Sequence, residues 1–269
     1  MALGTAKRAL AACLRQFDIA FIRPSTLDRL YGHATDLRRT LKELRWKCFL
    51  RAMPEGQRDR LSSLLRASKG QIFQDLFVMS ELDFKRSGYF VEFGACNGIE
   101  ISNTYLLEHQ FGWRGILAEP CRAWHAELKA ARECHISTQC VWSRSGDKLA
   151  FTQSPFLVTS TLAAFSDSNH LGPSRKKGPT YQVETVSLLD LLSRFNAPRE
   201  IDYISLDTEG SEFDILKAFD FSKYRFRVIT IEHNFRPVRE QISALLAPHG
   251  YVRKYEDISY MDDWYVSRA

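Results

Sequence analysis

The sequence predicts an α/β fold, in which a mainly parallel sheet is covered by helices on both faces and is preceded by a helical appendage. From residue 71 onward, apolar strand-like runs alternate with amphipathic helix-like segments, the pattern of parallel strands buried on both sides. A short glycine loop joins the first strand-like run to a helix-like segment. Residues 1–70 show only helical periodicity, so we expect an appendage at 1–70 and one domain at 71–269.

The appendage is predicted from the spacing of its leucines. Pro24-Ser25-Thr26 marks a helix start, with Ser25 and Asp28 spaced as a capping box. The residues behind it alternate three and four apart over about three heptads, as in a coiled-coil seam: Leu27, Leu30, Ala34, Leu37, Leu41, Leu44 and Cys48. Further helices are expected at 6–22 and 57–67. The leucine stripe could pack on the domain, within the appendage, or on a second copy in a homodimer.

Five strands are predicted in the domain, at residues 89–93, 115–119, 136–142, 202–207 and 227–232. Helices are expected at residues 101–109, 122–132, 187–194, 211–218 and 238–246. Residues 251–256 and 263–266 resemble a closing hairpin. The interval 149–183 holds several prolines and glycines and the basic run Arg175-Lys176-Lys177, so we interpret it as an irregular insertion of the functional or mobile kind.

Composition limits the class of protein. A chain of 269 residues with 45% hydrophobic and 26% charged residues is typical of a soluble globular protein. The longest apolar runs fall short of the roughly 20 residues of a membrane span, and Lys7, Arg8 and Arg15 interrupt a signal-peptide pattern, so a cytoplasmic location is expected. The six cysteines form no Cys-x-x-Cys pair, which argues against a zinc ribbon and favours reduced thiols.

Charge is distributed unevenly along the chain. Residues 1–70 contain 15 Lys+Arg and 6 Asp+Glu, while residues 71–269 contain 22 and 26. A basic appendage on a mildly acidic domain could attract nucleic acid, anionic lipid or a phosphorylated substrate. The plainer interpretation, which we favour, is that these arginines form solvated helix faces.

The segment 88–120 carries the first candidate site. A strand with Glu92 leads into a loop with Gly94 and Gly98, and the next strand ends at Glu119, where a carboxylate can accept hydrogen bonds from the two hydroxyls of a ribose. The loop lacks the middle glycine that admits a pyrophosphate, and Glu92 would repel a phosphate. S-adenosylmethionine, which has a ribose, an ammonium and a sulfonium but no phosphate, fits better. The alternative is a turn without a ligand.

A second group of polar residues follows the fourth and fifth predicted strands. Asp207, Glu209 and Glu212 follow the fourth, and the fifth ends in Glu232-His233-Asn234. If both strands neighbour the first, these side chains converge on one crevice. Glu209 or Glu212 could instead stabilise a helix N-terminus, and His233 could be a hydrogen-bonded histidine without a role. Asp207 is the strongest candidate, because a carboxylate after an apolar strand is costly to bury unpaired.

Several of these motifs together resemble the FkbM family of S-adenosylmethionine-dependent methyltransferases. The resemblance rests on Tyr-Phe-Val-Glu-Phe-Gly-Ala-Cys-Asn-Gly from Tyr89, Ser102-Asn103-Thr104, Gly-Trp-Arg-Gly-Ile-Leu-Ala-Glu-Pro from Gly112, and Ile-Asp-Tyr-Ile-Ser-Leu-Asp-Thr-Glu-Gly-Ser-Glu from Ile201. It covers about residues 71–269, including Gln74-Asp75. The sequence departs from the family at Cys96-Asn97, where a small residue followed by Asp is more usual.

The resemblance implies a Rossmann-like, seven-stranded class I methyltransferase sheet and methyl transfer to a hydroxyl of a saccharide or glycosylated metabolite. It also implies roles for residues at matching positions. Glu92, Gly94 and Gly98, with Cys96 between the glycines, would line the methionine end of the cofactor, and Asn103 would support it. Glu119 would bind the ribose, Ser143 would lie beside the adenine, and Asp207 would face the reacting centre.

A sugar hydroxyl is a poor nucleophile at neutral pH and needs a base or a metal ion. The candidate catalytic residues are Asp207, Glu209 and His233, of which His233 has the most suitable unperturbed pKa for a base. Asp207, Glu232 and His233 could alternatively bind Mg²⁺.

Two rival functions remain. A nucleic-acid methyltransferase recruited by the basic appendage is disfavoured, because Asp-Thr-Glu-Gly at residues 207–210 replaces the Asp/Asn-Pro-Pro-Tyr/Phe motif of amino-methylating enzymes and would repel phosphates. A non-catalytic scaffold that dimerises through the leucine heptads is disfavoured by the intact glycine loop.

Overall fold

The computed structural model describes residues 24–167, 172–175 and 177–268, without the side chains of 24–35 and 38. The chain divides into two compact units, residues 1–51 and 52–269. The sequence pattern predicts a boundary at residue 70. Residues 52–70 instead belong to the larger unit, in which Leu61 is fully buried and Gln57 hydrogen-bonds to Ser80.

Nine α-helices lie within the described residues: α1 (Pro24–Ala52), α2 (Arg58–Leu64), α3 (Gln74–Glu81), α4 (Tyr105–Phe111), α5 (His125–Ala131), α6 (Gly172–Arg175), α7 (Leu188–Arg194), α8 (Glu212–Lys217) and α9 (Val238–Leu246). The same residues contain eleven strands: β1 (Tyr89–Phe93), β2 (Arg114–Ala118), β3 (His135–Ser137), β4 (Cys140–Trp142), β5 (Lys148–Thr152), β6 (Thr161–Leu162), β7 (Thr180–Ser187), β8 (Glu200–Leu206), β9 (Arg225–Glu232), β10 (Tyr251–Lys254) and β11 (Asp262–Ser267). Short 3₁₀ turns occur at Glu55–Gln57, Arg122–Trp124, Leu157–Thr159, Ala163–Phe165 and Ala247–His249.

The main sheet joins seven of these strands in the order β10-β11-β9-β8-β1-β2-β3. Strands β9, β8, β1, β2 and β3 pair in parallel, and β11 is antiparallel to both of its neighbours. The central strands β1 and β8 are mainly apolar and are buried along nearly their whole length, as expected for strands that helices cover on both faces. Between β1 and β8 the chain reverses the direction in which it adds strands, and such a switch point opens a crevice at the carboxyl edge of the sheet.

The α/β fold and its closing hairpin, β10–β11, confirm the sequence prediction, and most predicted elements lie within a few residues of the observed ones. Helix α1 begins at Pro24, so Ser25 is the second helical residue and not the N-cap. The helix predicted at residues 6–22 lies outside the described residues. The strand predicted at 136–142 is in fact two strands, β3 in the main sheet and β4 in a second sheet.

The interval 149–183 is not an irregular insertion. Much of it belongs to the second sheet, which joins β4, β7, β5 and β6 in that order within the described part of the chain. Strand β7 pairs in parallel with β4 and antiparallel with β5. The inner face of this sheet buries Cys140, Phe151, Leu162 and Val183 in a hydrophobic cluster of its own.

Helix α1 is long, polar on average, and exposes part of its leucine stripe. Leu37, Leu41 and Leu44 are 60%, 43% and 52% exposed. In the described part of the chain, no helix is sufficiently long and apolar to cross a membrane.

Candidate active site

The carboxyl ends of four parallel strands meet at one edge of the main sheet. Strands β1 and β2 lead into Gly94 and Glu119, β8 leads into Asp207, and β9 ends at Glu232. Because β1 lies between β2 and β8, these groups are brought to the crevice at the switch point.

A cavity of about 740 Å³, part of it open to solvent, occupies this crevice. Polar groups of the main sheet line one part, and apolar side chains of the second sheet line another. The lining residues are Glu92, Phe93, Gly94, Cys96, Ile101, Asn103, Ala118, Glu119, Pro120, Cys140, Val141, Phe151, Leu157, Val158, Ser160, Leu162, Asp207, Thr208, Glu209 and Ser211.

The glycine loop after β1 fits tightly against the end of β8. Gly94 has a φ of +75°, and a Cβ at this position would lie 1.9 Å from the backbone oxygen of Asp207. Only glycine can occupy such a position. Gly98 also has a positive φ, but a Cβ there would meet Leu128 and Arg132, so this glycine serves packing of the loop on α5 and does not line the cavity.

Glu92, which lies inside β1, is buried and held by the loop and by the start of α4. Its carboxylate accepts hydrogen bonds from the Ser102 hydroxyl at 2.9 Å, the Asn103 backbone N–H at 2.7 Å, and the Thr104 hydroxyl. Burial raises the pKa of Glu92, and the nearby Arg132 opposes that shift. Glu92 therefore fixes the wall of the cavity through its internal partners.

Arg132 ties this wall to α4. Its buried guanidinium contacts Glu108 at 2.6 Å, the Gly98 carbonyl at 3.0 Å and the Thr104 hydroxyl at 2.9 Å. No local sequence pattern singles out this arginine, because its hydrogen-bond partners lie 24 to 34 residues away in the chain.

Glu119 lies beside the glycine loop and is 4% exposed. One carboxylate oxygen accepts a hydrogen bond from the Cys96 N–H at 2.8 Å, and the other accepts one from the Cys121 N–H at 2.7 Å. Burial raises its pKa to about 7 despite these bonds. Each carboxylate oxygen has a further lone pair, so the group can still accept hydrogen bonds from a ligand in the cavity.

Asn103 presents a buried acceptor that has no protein partner. Its Nδ2 donates to the Ser205 hydroxyl at 2.9 Å, whereas Oδ1 is buried without a hydrogen bond. A buried polar atom without a partner is costly, and its position in the cavity wall suits a ligand that carries a hydrogen-bond donor.

The apolar part of the cavity differs from the sequence-based expectation. Ser143 lies beyond the end of β4 and is not among the lining residues. Cys140 and Val141 of β4 line the cavity instead, together with Phe151, Leu157 and Leu162 of the second sheet. The alternation of apolar and polar residues in β5 and β7 is the signal that could have revealed this sheet.

Three carboxylates converge at the ends of β8 and β9. One oxygen from each of Asp207, Glu209 and Glu232 lies within 4.8 Å of the other two. Desolvation raises the pKa of Asp207 and of Glu232 well above the usual range, and the charges of neighbouring acids raise it further. One Glu232 oxygen, Oε2, is buried and has no hydrogen-bond partner. We call Asp207, Glu209 and Glu232 the carboxylate cluster.

Two acids of this region each pair with an arginine. The buried guanidinium of Arg175, in α6, pairs with Glu209, and its Nε donates to the Thr159 carbonyl at 2.7 Å. Arg236 pairs with Glu212 at 2.9 Å. Glu212 also accepts hydrogen bonds from the backbone N–H groups of Thr208 and Gly210, so it shapes the loop after β8.

His233 is turned away from the carboxylate cluster. Its Nδ1 accepts a hydrogen bond from the Phe235 N–H at 2.9 Å, and its Nε2 lies 3.8 Å from Asp263. Desolvation lowers its pKa, and the ring does not line the cavity. The third member of the cluster is therefore Glu209, where the sequence suggested His233.

The strand order, with one antiparallel strand next to the edge, and the cavity at the switch point define a class I methyltransferase fold. The family model described as the methyltransferase FkbM domain matches residues 92–265. The chain belongs to the FkbM methyltransferase family, which confirms the resemblance seen in the sequence.

Two of the solved structures that are similar to this chain are named as methyltransferases. A precorrin-6y C5,15-methyltransferase from Geobacter metallireducens is 12% identical, with 71% of this chain and 85% of that chain covered and a TM-score of 0.37. A human methyltransferase 10 domain containing protein is 11% identical, with 72% and 80% covered and a TM-score of 0.35. Similarity at this level says nothing about substrate. No curated protein matches the sequence significantly.

Proposed function

We propose that the protein is an S-adenosylmethionine-dependent O-methyltransferase that acts on a hydroxyl of a saccharide or a glycosylated metabolite. The observation that carries this proposal is the convergence of the Gly94 loop, Glu119, Asp207 and Glu209 on one cavity, with Glu232 next to the last two. Membership of the family supports the methyl donor, and the chemistry of the cluster supports an oxygen acceptor.

The residues of the cavity fit this cofactor. Glu119 can accept hydrogen bonds from ribose hydroxyls, and the unpartnered Oδ1 of Asn103 suits an ammonium group. Gly94 lets the loop after β1 pack against the Asp207 carbonyl, which holds the loop at the cavity. Val141 and Leu162 offer an apolar surface to a flat base. When bound, S-adenosylmethionine supplies an electrophilic methyl group on a sulfonium.

The carboxylate cluster would act on the acceptor hydroxyl. Asp207, which is partly exposed to the cavity, can accept the hydroxyl hydrogen bond and orient the oxygen. Arg175 holds Glu209 in place, so the cluster keeps its shape before the acceptor arrives. Positioning of this kind supplies much of the rate of a displacement reaction.

The cluster is also a candidate Mg²⁺ site, because Asp207, Glu209 and Glu232 offer three hard oxygen ligands in close proximity. The pairing of Glu209 with Arg175 favours the alternative, in which the carboxylates act as a base without a metal ion. Treatment with EDTA followed by addition of Mg²⁺ distinguishes these possibilities. Activity that falls and then returns would indicate a bound ion, and unchanged turnover would indicate base catalysis.

The proposed function is tested by incubating the protein with methyl-labelled S-adenosylmethionine and a panel of methyl glycosides and glycosylated metabolites. We expect label in an ether-linked methyl group, identified by mass spectrometry. Asp207→Asn should bind the cofactor normally but reduce turnover by about 10²-fold or more, since it removes the proton acceptor. Label on nitrogen or carbon, or near-normal activity of Asp207→Asn, would contradict the proposal.

We also propose a small-molecule acceptor in preference to nucleic acid, because the carboxylate cluster would repel a phosphate backbone.

The exposed leucines of α1 support a homodimer formed through the N-terminal helices. A cytoplasmic location stays a prediction. Retention of Gly94 and Glu119 at the cavity argues against a non-catalytic scaffold.

A further inference from the structure

Two exposed aromatic side chains contact each other on the loops next to strands β9 and β11. Phe235 follows β9 and is 65% exposed, and Tyr260 precedes β11 and is 48% exposed. Their rings lie 5.1 Å apart at an interplanar angle of 82°. Because the two rings meet edge to face, they leave an open surface and do not enclose a ligand from several sides.

The loop that carries Phe235 is held in an unusual conformation. Asn234 and Phe235 have φ values of +47° and +58°, which are uncommon for residues with a side chain. Three hydrogen bonds maintain this geometry: the Phe235 N–H donates to Nδ1 of His233, and the N–H groups of His233 and Asn234 donate to the Met261 carbonyl. The fold therefore keeps Phe235 and Tyr260 together at the surface.

The same loop reaches the carboxylate cluster. Nδ2 of Asn234, the residue before Phe235, lies 3.4 Å from Oε2 of Glu209. The cluster includes Oε2 of Glu232, which is buried and accepts no hydrogen bond. Through Asn234, the loop of the aromatic pair is thus linked to a cluster in which Oε2 of Glu232 still lacks a hydrogen-bond donor.

We propose that Phe235 and Tyr260 form an acceptor subsite, on which the apolar face of a sugar ring packs while its hydroxyl groups donate to the carboxylate cluster. This inference rests on the proposed function and adds to it the place where the saccharide binds. A pyranose ring has one face of C–H groups that suits the negative face of an aromatic ring, and hydroxyls at its rim. A purely apolar acceptor would leave Oε2 of Glu232 without a donor.

A cationic ligand is the main rival, since aromatic rings and carboxylates also attract ammonium groups. Strong cation–π sites surround the charge and remove it from water. Both rings are exposed, so they would remove little water from a bound cation. A sugar ring therefore suits this aromatic pair better than a cation does.

The assignment gives His233 a positioning role. Its Nδ1 accepts the Phe235 N–H, so His233 orients the aromatic loop and does not serve as the base. We expect His233→Phe, which removes the acceptor, to weaken sugar binding while leaving the pH dependence of turnover unchanged. A change in the pH profile would instead indicate a titrating catalytic histidine.

The test uses the full-length chain loaded with S-adenosylhomocysteine and saturation-transfer NMR with a panel of methyl hexosides and 6-deoxyhexosides. We expect saturation of the C–H protons on one ring face. Phe235→Ala should weaken binding roughly tenfold, and Phe235→Trp should retain it. Phe156→Ala is a matched control, because Phe156 is a phenylalanine of similar exposure, at 51%, that lies outside the aromatic pair.

The outcomes separate the subsite from the proposed function. Equal sugar binding by Phe235→Ala and the wild type would overturn the subsite and leave the proposed function intact. Absence of sugar binding to a protein that binds S-adenosylhomocysteine would overturn the subsite and count against a saccharide acceptor. Binding of choline that depends on Phe235 would assign the aromatic pair to a cation. Failure to bind S-adenosylhomocysteine would overturn the proposed function itself.

Discussion

At the residue scale, the Glu119 carboxylate is held by two backbone N–H groups and still faces the cavity. Replacement by Ala should weaken S-adenosylhomocysteine binding by about 1–3 kcal/mol, because the ribose hydroxyls lose their acceptor in a buried site. Isothermal titration calorimetry measures the change, with circular dichroism as the control for folding. An unchanged affinity would remove the ribose role from Glu119.

The raised pKa of Glu119 predicts a pH dependence of cofactor binding. The free protein holds this group with a pKa of about 7, whereas acceptance of two ribose hydrogen bonds requires the ionised form. Affinity for S-adenosylhomocysteine should therefore fall by roughly tenfold for each pH unit below 7 and level off above it. In Glu119→Gln this dependence should be absent, and a parallel decline in the variant would assign it to another group.

The same shift predicts how the stability of the free protein changes with pH. Folding raises the pKa of Glu119 from 4.5 to about 7, so its contribution to stability is fully present below 4.5 and is lost as the pH rises through 7. Between pH 4 and pH 8, the unfolding free energy of the wild type should fall by about 3 kcal/mol relative to Glu119→Gln. Urea denaturation at both pH values measures the difference, and a constant gap between the two proteins would contradict it.

At the scale of elements, the glycine loop after β1 is held by the end of β8 on one side and by Arg132 on the other. Gly94→Ala should destabilise the fold by about 3 kcal/mol or more and abolish cofactor binding, because the new Cβ would collide with the Asp207 carbonyl. Thermal denaturation and calorimetry measure both effects.

Gly112 provides the matched control for this substitution. Its φ of +67° is similar, but a Cβ there would meet nothing within 4 Å. Gly112→Ala should lower the free energy of unfolding by about 1 kcal/mol, because only the backbone is strained, and should leave cofactor binding intact. Equal effects of the two substitutions would show that backbone strain, and not the close approach to β8, makes Gly94 necessary.

A helix or strand can be predicted from the sequence only if the pattern that marks it lies within its own residues. The central strands of the main sheet were predictable because each is a mainly apolar run between turn residues. Strands β5 and β7 carry an alternating pattern, but they were missed because they lie among prolines and glycines and pair across an interval of 28 residues or more. Strand pairing over such distances leaves little trace in either segment alone.

At the scale of the whole molecule, the cavity is built entirely from the unit of residues 52–269. A chain shortened to these residues should fold and bind S-adenosylhomocysteine with unchanged affinity. Calorimetry on the shortened and full-length chains tests this, and loss of binding would assign the N-terminal unit a part in the site.

The proposed homodimer is tested separately, with the exposed leucines of α1. Leu41→Glu should convert a full-length dimer to a monomer, as measured by light scattering. The reason is that a charged side chain would replace a leucine in the apolar seam. Lys42→Glu is the control, because Lys42 is exposed at the neighbouring position outside the leucine stripe. A monomeric wild type, or dimers of both variants, would refute a dimer formed through this stripe.

The sequence by itself determined the fold class, the family and the chemistry that each strand end carries, including Gly94, Glu119 and Asp207. Only the tertiary structure decided which of these groups meet. It joined Glu209 to Asp207 and Glu232, turned His233 toward Phe235, packed Gly98 against Arg132, and left Ser143 outside the cavity. The physical reason is that strand ends follow from local patterns, whereas the direction and partners of a side chain depend on packing between segments that are distant in the chain.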